Sequence, residues 1–236
     1  MENPNNEKVS IITRAYNRLE YTIKCIDNII KYTKYPNYEH VIINNNSCDG
    51  TTEWLNWIKK NNIEYFKNVR VFHMDKNYGD WGGMIKSLDL ISKDSKYIVQ
   101  FDNDVEILDN KWLDKMVYAL ENTNYNIIQL KRIGITKVIK PTNIKDILYK
   151  NEKLKIGTIG RPVCCFILKT DDFRRYEKSC SIDLIKGKTD LYKMLGSKTG
   201  KIENLKCYIM DGNHIDFVIN YTKYPHKLIY SSKNIR

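Results

Sequence analysis

The chain has 236 residues, 42% of them apolar and 11% aromatic, which fits a single folded domain with a sizeable core and excludes an intrinsically disordered chain. No apolar run approaches the ~20 residues of a membrane-spanning helix, and "MENPNNEKVS" lacks the basic-then-apolar pattern of a signal peptide, so a cytoplasmic location is expected. The formal charge of +11 is interleaved with Asp, Glu and Asn in no long basic block; this describes a solvated surface, predicts no nucleic-acid partner, and permits peripheral association with a membrane.

"KVSIIT" (8–13) has the β-branched, apolar character of a buried strand. Asn17 followed by Glu20 resembles a capping box, and Leu19, Ile23, Ile26 and Ile30 then recur at helical spacing. "EHVIIN" (39–44) is a second strand, followed by the polar turn "NNNSCDG" and a helix from about Thr51 with Trp54 and Ile58 on one face. "VRVFHM" (69–74) is a third strand, "DKNYGDWGG" a glycine-bearing loop, and Met84, Leu88 and Ile91 mark the next helix. "KYIVQF" (96–101) is the fourth strand, and it ends in Asp102-Asn103-Asp104.

Beyond that triplet, "NKWLDKMVYAL" (110–120) reads as a helix and "YNIIQL" (125–130) as a strand. Residues 131–160 carry no clear period; "PVCCFILKT" (162–170) is a strand, 183–199 is helical in part, and "LKCYIM" (205–210) is a late strand. The six cysteines have no CxxC spacing, so neither a zinc site nor a disulfide framework is indicated.

Alternating strands and helices imply a largely parallel sheet with right-handed crossovers and helices on its faces, an α/β fold. Ligands of such sheets bind outside the carboxyl ends of the strands. Four polar segments fall there: Arg14 to Asn17, Asn44 to Asp49, Asp75 to Gly83, and Asp102 to Asp104. In an extended chain Asp102 and Asp104 point the same way and can face one cleft. Taken alone, Asp-Asn-Asp would equally serve as a set of Asx-turns before the next element.

In order along the chain, "VSIITRAYNR", "VIINNNSCDGT", "KNYGDWGG", "YIVQFDNDVEI" and "NKWLDKMV" resemble the segments of the family 2 glycosyltransferases, inverting enzymes of the GT-A fold. The resemblance spans roughly residues 8 to 115, with weaker echoes to about 215. It implies one GT-A domain over 1–236, a Rossmann-like, mostly parallel sheet with a smaller acceptor-side region. Residues to about 108 would bind the nucleotide-sugar and residues from about 109 the acceptor.

The same resemblance implies transfer of a sugar from a nucleotide-diphosphate donor, a UDP-sugar favoured, to a hydroxyl-bearing glycan-type acceptor, with Mn2+ or Mg2+. A hard divalent cation on carboxylate oxygens offsets the charge of a departing diphosphate. Asp104 would then ligate the metal, Asp102 the ribose or the metal, and His214 would add a further metal ligand. Donor contacts would come from Thr13, Arg14, Tyr16, Asn44, Trp81, Gly82, Asp102 and Asn103.

The chain departs from the family pattern in places. Asn44 stands where Asp is common and can both donate and accept, so it does not fix which base is read. Arg14-Ala15 replaces Pro-Thr and puts a guanidinium near a phosphate or base edge, while Met84 and Ile85 replace an Arg and Asn. In "GKTDLYKML", Asp190 matches the acidic residue that would take the acceptor proton, with Asp183 as competitor. In "GTIGRPVCCFILKTDDF", a glycine-bearing loop, a strand and a helix would meet the acceptor. Two other functions remain: a nucleotidyltransferase, which would want a glycine-rich loop where "TRAYNRLE" stands, and a basic nucleic-acid or membrane-binding module.

Overall fold

Val9, Ile11 and Ile12 are fully buried, as are Val41, Ile42, Ile43, Ile98 and Val99. Consecutive apolar residues send side chains to both faces of a strand, so these runs form strands covered on both sides. The computed structural model describes residues 6–61, 63–135, 139–160, 162–179 and 198–210. Its first half runs β1 (Val9–Ala15), α1 (Leu19–Tyr32), β2 (Tyr38–Asn44), α2 (Thr51–Asn61), β3 (Val69–His73), α3 (Gly79–Ser87) and β4 (Tyr97–Asp102). Its second half runs β5 (Val105–Ile107), α4 (Trp112–Glu121), β6 (Ile127–Ile133), β7 (Thr142–Tyr149), β8 (Glu152–Ile159), β9 (Phe166–Lys169), α5 (Thr170–Ser179) and β10 (Thr199–Ile209).

The strands form one sheet in the order β3-β2-β1-β4-β9-β6-β10-β8-β7, with β5 paired to β10. β1, β2, β3 and β4 all pair in parallel, so their carboxyl ends share one edge. Chain order reverses between β1 and β4, which opens a crevice there. β9 runs antiparallel between β4 and β6, and β6 and β10 are again parallel. The α/β architecture with a central sheet flanked by helices is the one expected.

One face packs Val9, Ile11, Val99 and Phe101 against Cys25 and Ile29 of α1 and Trp112 and Met116 of α4. The other packs Ile12, Ile43, Ile98 and Leu168 against Met84 of α3 and Phe173 of α5. α2 adds Leu55 and Ile58 beside Ile26 and Ile42. Each aliphatic side chain so buried contributes about 1.5–3 kcal/mol, which holds the strand ends rigidly for whatever sits on them.

Three local expectations are corrected. α1 buries Thr22, Cys25, Ile26 and Ile29, a stripe rotated from the Leu19, Ile23, Ile26 and Ile30 spacing. Residues 142–159 form the β7–β8 hairpin, whose turn residues Lys150 (φ 47°) and Asn151 (φ 68°) are left-handed, as a two-residue hairpin turn requires. Cys164 (φ 66°) and Cys165 precede β9 and do not lie within it. Among the described residues no helix is long and apolar enough to cross a membrane.

Candidate active site

Arg14 and Asp102 are register partners on β1 and β4, so their side chains leave the same face at the crevice. Arg14 Nη2 donates to Asp102 Oδ1 at 2.6 Å, and its Nη1 donates to Gln100 Oε1, one pleat back on β4, at 3.0 Å. One turn further out, Arg18 Nη1 donates to Asp104 Oδ2 at 3.0 Å, with the guanidinium 4.6 Å from the Tyr21 ring centre. Two carboxylates thus meet two arginines. Arg14 and Arg18 are 12% and 7% exposed in their side chains, Asp102 and Asp104 34% and 16%.

The loops are tied to one another before any ligand is considered. Asn17 (φ 55°) and Arg18 (φ 63°) are both left-handed, a conformation Asn tolerates better than Arg. Asn17 accepts at Oδ1 from the Cys48 N–H (2.7 Å), and its own N–H donates to Ser47 Oγ (2.8 Å). The expected capping box is therefore absent: Asn17 spends its side chain on the β2 loop. The Leu19 N–H that opens α1 donates to Asp49 Oδ2, 3.1 Å away. Asn45 Nδ2 donates to Asn77 Oδ1 (2.6 Å), and Asn45 Oδ1 accepts from the Tyr78 N–H (2.9 Å), joining the β2 and β3 loops. The four polar segments do converge.

Gly82 and Gly83 lie within α3 and not in a loop ahead of it. A Cβ on Gly83 would meet Arg14 Cδ at 3.4 Å, so the bare helix surface rests on the arginine stem. The backbone of Trp81 lies in the same helix, while its side chain is outside the described residues.

The other named positions are placed as follows. Thr13 is fully buried, its hydroxyl 2.8 Å from His40 Nε2. Asn44 is buried, with Nδ2 on Thr52 Oγ1 (2.8 Å) and His73 Nδ1 (2.9 Å) and Oδ1 accepting from the Ser47 N–H (3.0 Å). Asn103 donates from Nδ2 to Asn17 O (3.1 Å) and Thr22 Oγ1 (2.9 Å), tying β4 to the start of α1. These three amide and hydroxyl groups face inward and hold loops. Tyr16 is half-buried beside Arg14 in the chain. Asp190, Asp183 and His214 lie outside the described residues. The Met210 N–H, at the end of the described residues, donates to the Asp104 backbone carbonyl at 2.8 Å.

Arg18 and Gln100 were not singled out by sequence reasoning. Both carried a signal: Arg18 closes "YNR", and Gln100 is a polar residue in an otherwise apolar strand, two before Asp102.

Burial pushes the Cys164 thiol well up, and the charges of Asp102 and then Asp104 push it further. Burial likewise raises Cys25, and it raises Cys207 to about 12. Burial thus favours the neutral thiol in all three. Burial lowers His73, which accepts from Asn44 as a neutral ring, and Lys59 adds to the shift.

Asp102 and Asp104 offer hard oxygen donors of the kind Mn2+ and Mg2+ take. Among the described residues no group of three or more His, Cys, Asp or Glu forms a metal cluster. Two carboxylates alone would supply only part of such an ion's coordination shell.

The family model described as "Glycosyl transferase family 2" matches residues 10–176. An uncharacterized glycosyltransferase of Rickettsia bellii is 30% identical over 118 residues, 50% of this chain and 16% of that protein. One from Rickettsia felis is 30% identical over 131 residues, 52% and 20% of the two chains. The match thus spans a fifth or less of the length of these curated relatives. The crystal structure of S. aureus TarS 1–349 superposes with a TM-score of 0.63 at 14% identity, covering 86% of this chain and 60% of that one. A mannosyltransferase from Pyrobaculum calidifontis, in complex with GDP-Man and Mn2+, gives 0.62 at 14% identity, covering 99% and 66%. These likenesses establish the GT-A fold, and with the match over residues 10–176 the chain belongs to glycosyl transferase family 2.

Proposed function

We propose that the chain is a metal-dependent inverting glycosyltransferase that moves a sugar from a nucleotide-diphosphate donor to a hydroxyl of a glycan-type acceptor. The observation that carries this is the pairing of Asp102 and Asp104 with Arg14 and Arg18 at the point where strand order reverses, beside loops after β1, β2 and β3 that are tied to one another. A UDP-sugar is the first donor to test, since a TarS structure is a complex with UDP, and a GDP-sugar the second, from the GDP-Man complex.

In this reading residues to about 108 bind the donor and the remainder the acceptor. Arg14, Tyr16, Trp81, Gly82 and Asp102 meet the donor. Thr13, Asn44 and Asn103 support the loops from behind. Asp104 and Asp102, with His214, would hold Mn2+ or Mg2+, which supplies positive charge against the departing diphosphate. His214 follows Met210, whose N–H donates to the Asp104 backbone carbonyl, by four residues in the chain. Asp190 takes the proton of the acceptor hydroxyl as that oxygen attacks the anomeric carbon; the bond to the diphosphate breaks on the opposite face and the configuration inverts.

The test is a pair of variants assayed with UDP- and GDP-sugars. Asp104→Asn keeps an acceptor for Arg18 and loses the charge; transfer should fall by at least roughly 100-fold. Asp190→Asn should retain donor binding and lose turnover. Unchanged turnover in both ends the proposal.

A further inference from the structure

β4 leads through Asp102-Asn103-Asp104 into β5, yet β5 does not pair beside β4: it pairs with β10, which pairs with β6. Four flat strand spacings would separate β4 from β5 by about 19 Å. The three steps from Asp102 to Val105 reach at most about 10 Å, so the β4-β9-β6-β10-β5 path curls and draws its ends together. Arg132 of β6 stands in register with Cys207 of β10, and Cys207 with Ile107 of β5. Directly paired residues share a face, so Arg132 projects on the side where Cys207 and Ile107 enter the core.

The half-buried Arg132 guanidinium reaches Cys164, Nη1 to Sγ, at 3.9 Å. The turn bearing Cys164 is held in place: its backbone is left-handed (φ 66°), and the Val163 N–H donates to the buried Gln129 Oε1 at 2.6 Å. Asp102 and Asp104 act on the same thiol, so Arg132 approaches the crevice from the β6 side.

A thiol is a weak acceptor for a group with five N–H donors. Neighbouring cations are better served. Arg14 and Arg18 meet Asp102 and Asp104, and Lys131 and Lys201 both reach Glu203, at 3.0 and 2.7 Å. Among the described residues Arg132 meets no carboxylate. A guanidinium stays charged at every accessible pH, and withdrawing it from water is offset by an anion that accepts from its planar fork. The loops read as donor-binding follow β1, β2 and β3, whereas β6 lies two strands beyond β4 on the other side.

We propose that Arg132 receives a phosphate or carboxylate borne by the acceptor near its reacting hydroxyl, so that the acceptor is an acidic sugar or a sugar phosphate and not a neutral one. This rests on the glycosyltransferase reading above, with β6 in the acceptor half, and it makes Arg132 a specificity-determining residue.

The experiment titrates glucose, glucuronate and glucose 6-phosphate, which share a ring and differ in the group at its sixth carbon, into the wild type, R132M and R132K. Affinities are read by NMR with UDP and Mg2+ at saturation, and UDP affinity is measured separately by calorimetry. The wild type should bind one of the two acids at least about tenfold more tightly than glucose, roughly the worth of one charged hydrogen-bonded pair. Whichever acid binds more tightly names the anion. R132M should lose that preference while its UDP affinity stays within about twofold. R132K keeps the charge without the fork and should retain part of the preference; it serves as the reading if R132M does not fold.

No binding of either acid by the wild type overturns the proposal. So does a preference that persists in R132M, which would belong to the general positive charge of the chain. A fall in UDP affinity in R132M to match the fall for the acids overturns it too, and moves Arg132 to the donor. Failure of the wild type to bind UDP or GDP sinks the donor reading instead; the three sugars titrated without nucleotide then still decide whether Arg132 holds an anion.

Discussion

The two ends of the β1–β4 sheet each hold carboxylates paired with arginine, and they use them differently. At the amino end Glu39 is 8% exposed and meets Ser10 Oγ at 2.6 Å, the Ser92 N–H at 2.6 Å and Arg70 Nη1 at 2.6 Å. Burial works against its charge, but these donors outweigh it and hold the carboxyl below the ordinary glutamate range. At the carboxyl end Asp102 and Asp104 meet arginines while remaining partly open to solvent. A carboxylate enclosed by protein donors is a fastening. One fixed by a cation and left open is poised for a ligand. Ion pairing alone would not have separated the two; access does.

The sharpest way to break this contrast is to remove charge at each end. At the open end, Asp104→Asn should cost transfer about 100-fold or more while the melting temperature moves little, because the amide still accepts from Arg18. Alanine would be a poor choice there, since it strands a guanidinium that is 7% exposed. At the closed end the pattern should invert. Glu39→Ala should cost roughly 1–3 kcal/mol of stability by leaving the Ser92 N–H without its acceptor and the buried Ser10 hydroxyl with Ser95 Oγ alone, with kcat of the folded fraction unchanged. Chemical denaturation and initial-rate assays on both variants decide it. A Glu39 variant that folds well and fails to turn over would show that the amino end takes part in chemistry.

The same contrast explains what was legible in the residues. β1, β2 and β4 announce themselves because Val, Ile and Phe side chains bury on both faces, and burial is a local property of composition. The convergence of their ends then follows from topology. The direction of individual polar side chains does not. Asn44 looked like a donor contact and instead spends its amide on Thr52, His73 and Ser47; Asn17 looked like a helix cap and instead holds Cys48. The cap came from Asp49, thirty positions along the chain from Leu19. Such exchanges between loops have no local signature. β7 was missed for the opposite reason: "TNIKDILY" is exposed at nearly every position, so no buried period marks it as a strand.

A smaller effect separates neighbours within the closed end. Burial lowers His40 to about 3, so its ring is neutral in the folded state, where it meets Thr13. An unfolded histidine titrates near 6.5. Between these values the unfolded chain binds a proton that the folded chain refuses. Stability is therefore complete above about pH 6.5 and falls as pH drops toward 3, by roughly 1 kcal/mol per pH unit. Glu39, depressed below its ordinary range, begins to contribute its own loss only under more acidic conditions, below about pH 4.3, where an unfolded glutamate takes up a proton. Urea titrations from pH 7 to 4 should show a slope already present at pH 6 that disappears in His40→Gln. A flat profile over pH 5 to 6.5 would mean that His40 is charged or solvated in the fold.

The smallest expected change tests the open end by adding rather than removing. Gly83 has helical backbone in α3, and a methyl group there would sit 3.4 Å from Arg14 Cδ, an ordinary contact. Replacing a helical glycine by alanine stabilises by about 0.5–1 kcal/mol, chiefly by narrowing the unfolded ensemble. Gly83→Ala should therefore raise the melting temperature by a few degrees. Because the methyl rests on the stem and leaves the guanidinium fork untouched, nucleoside diphosphate affinity should stay within a factor of about two, a change below 0.5 kcal/mol. A more stable variant with lost affinity would mean that the space above Gly83 belongs to the ligand; a less stable one would mean that Arg14 has no room to yield, and that the fork at Gln100 and Asp102 is strained by even one added carbon.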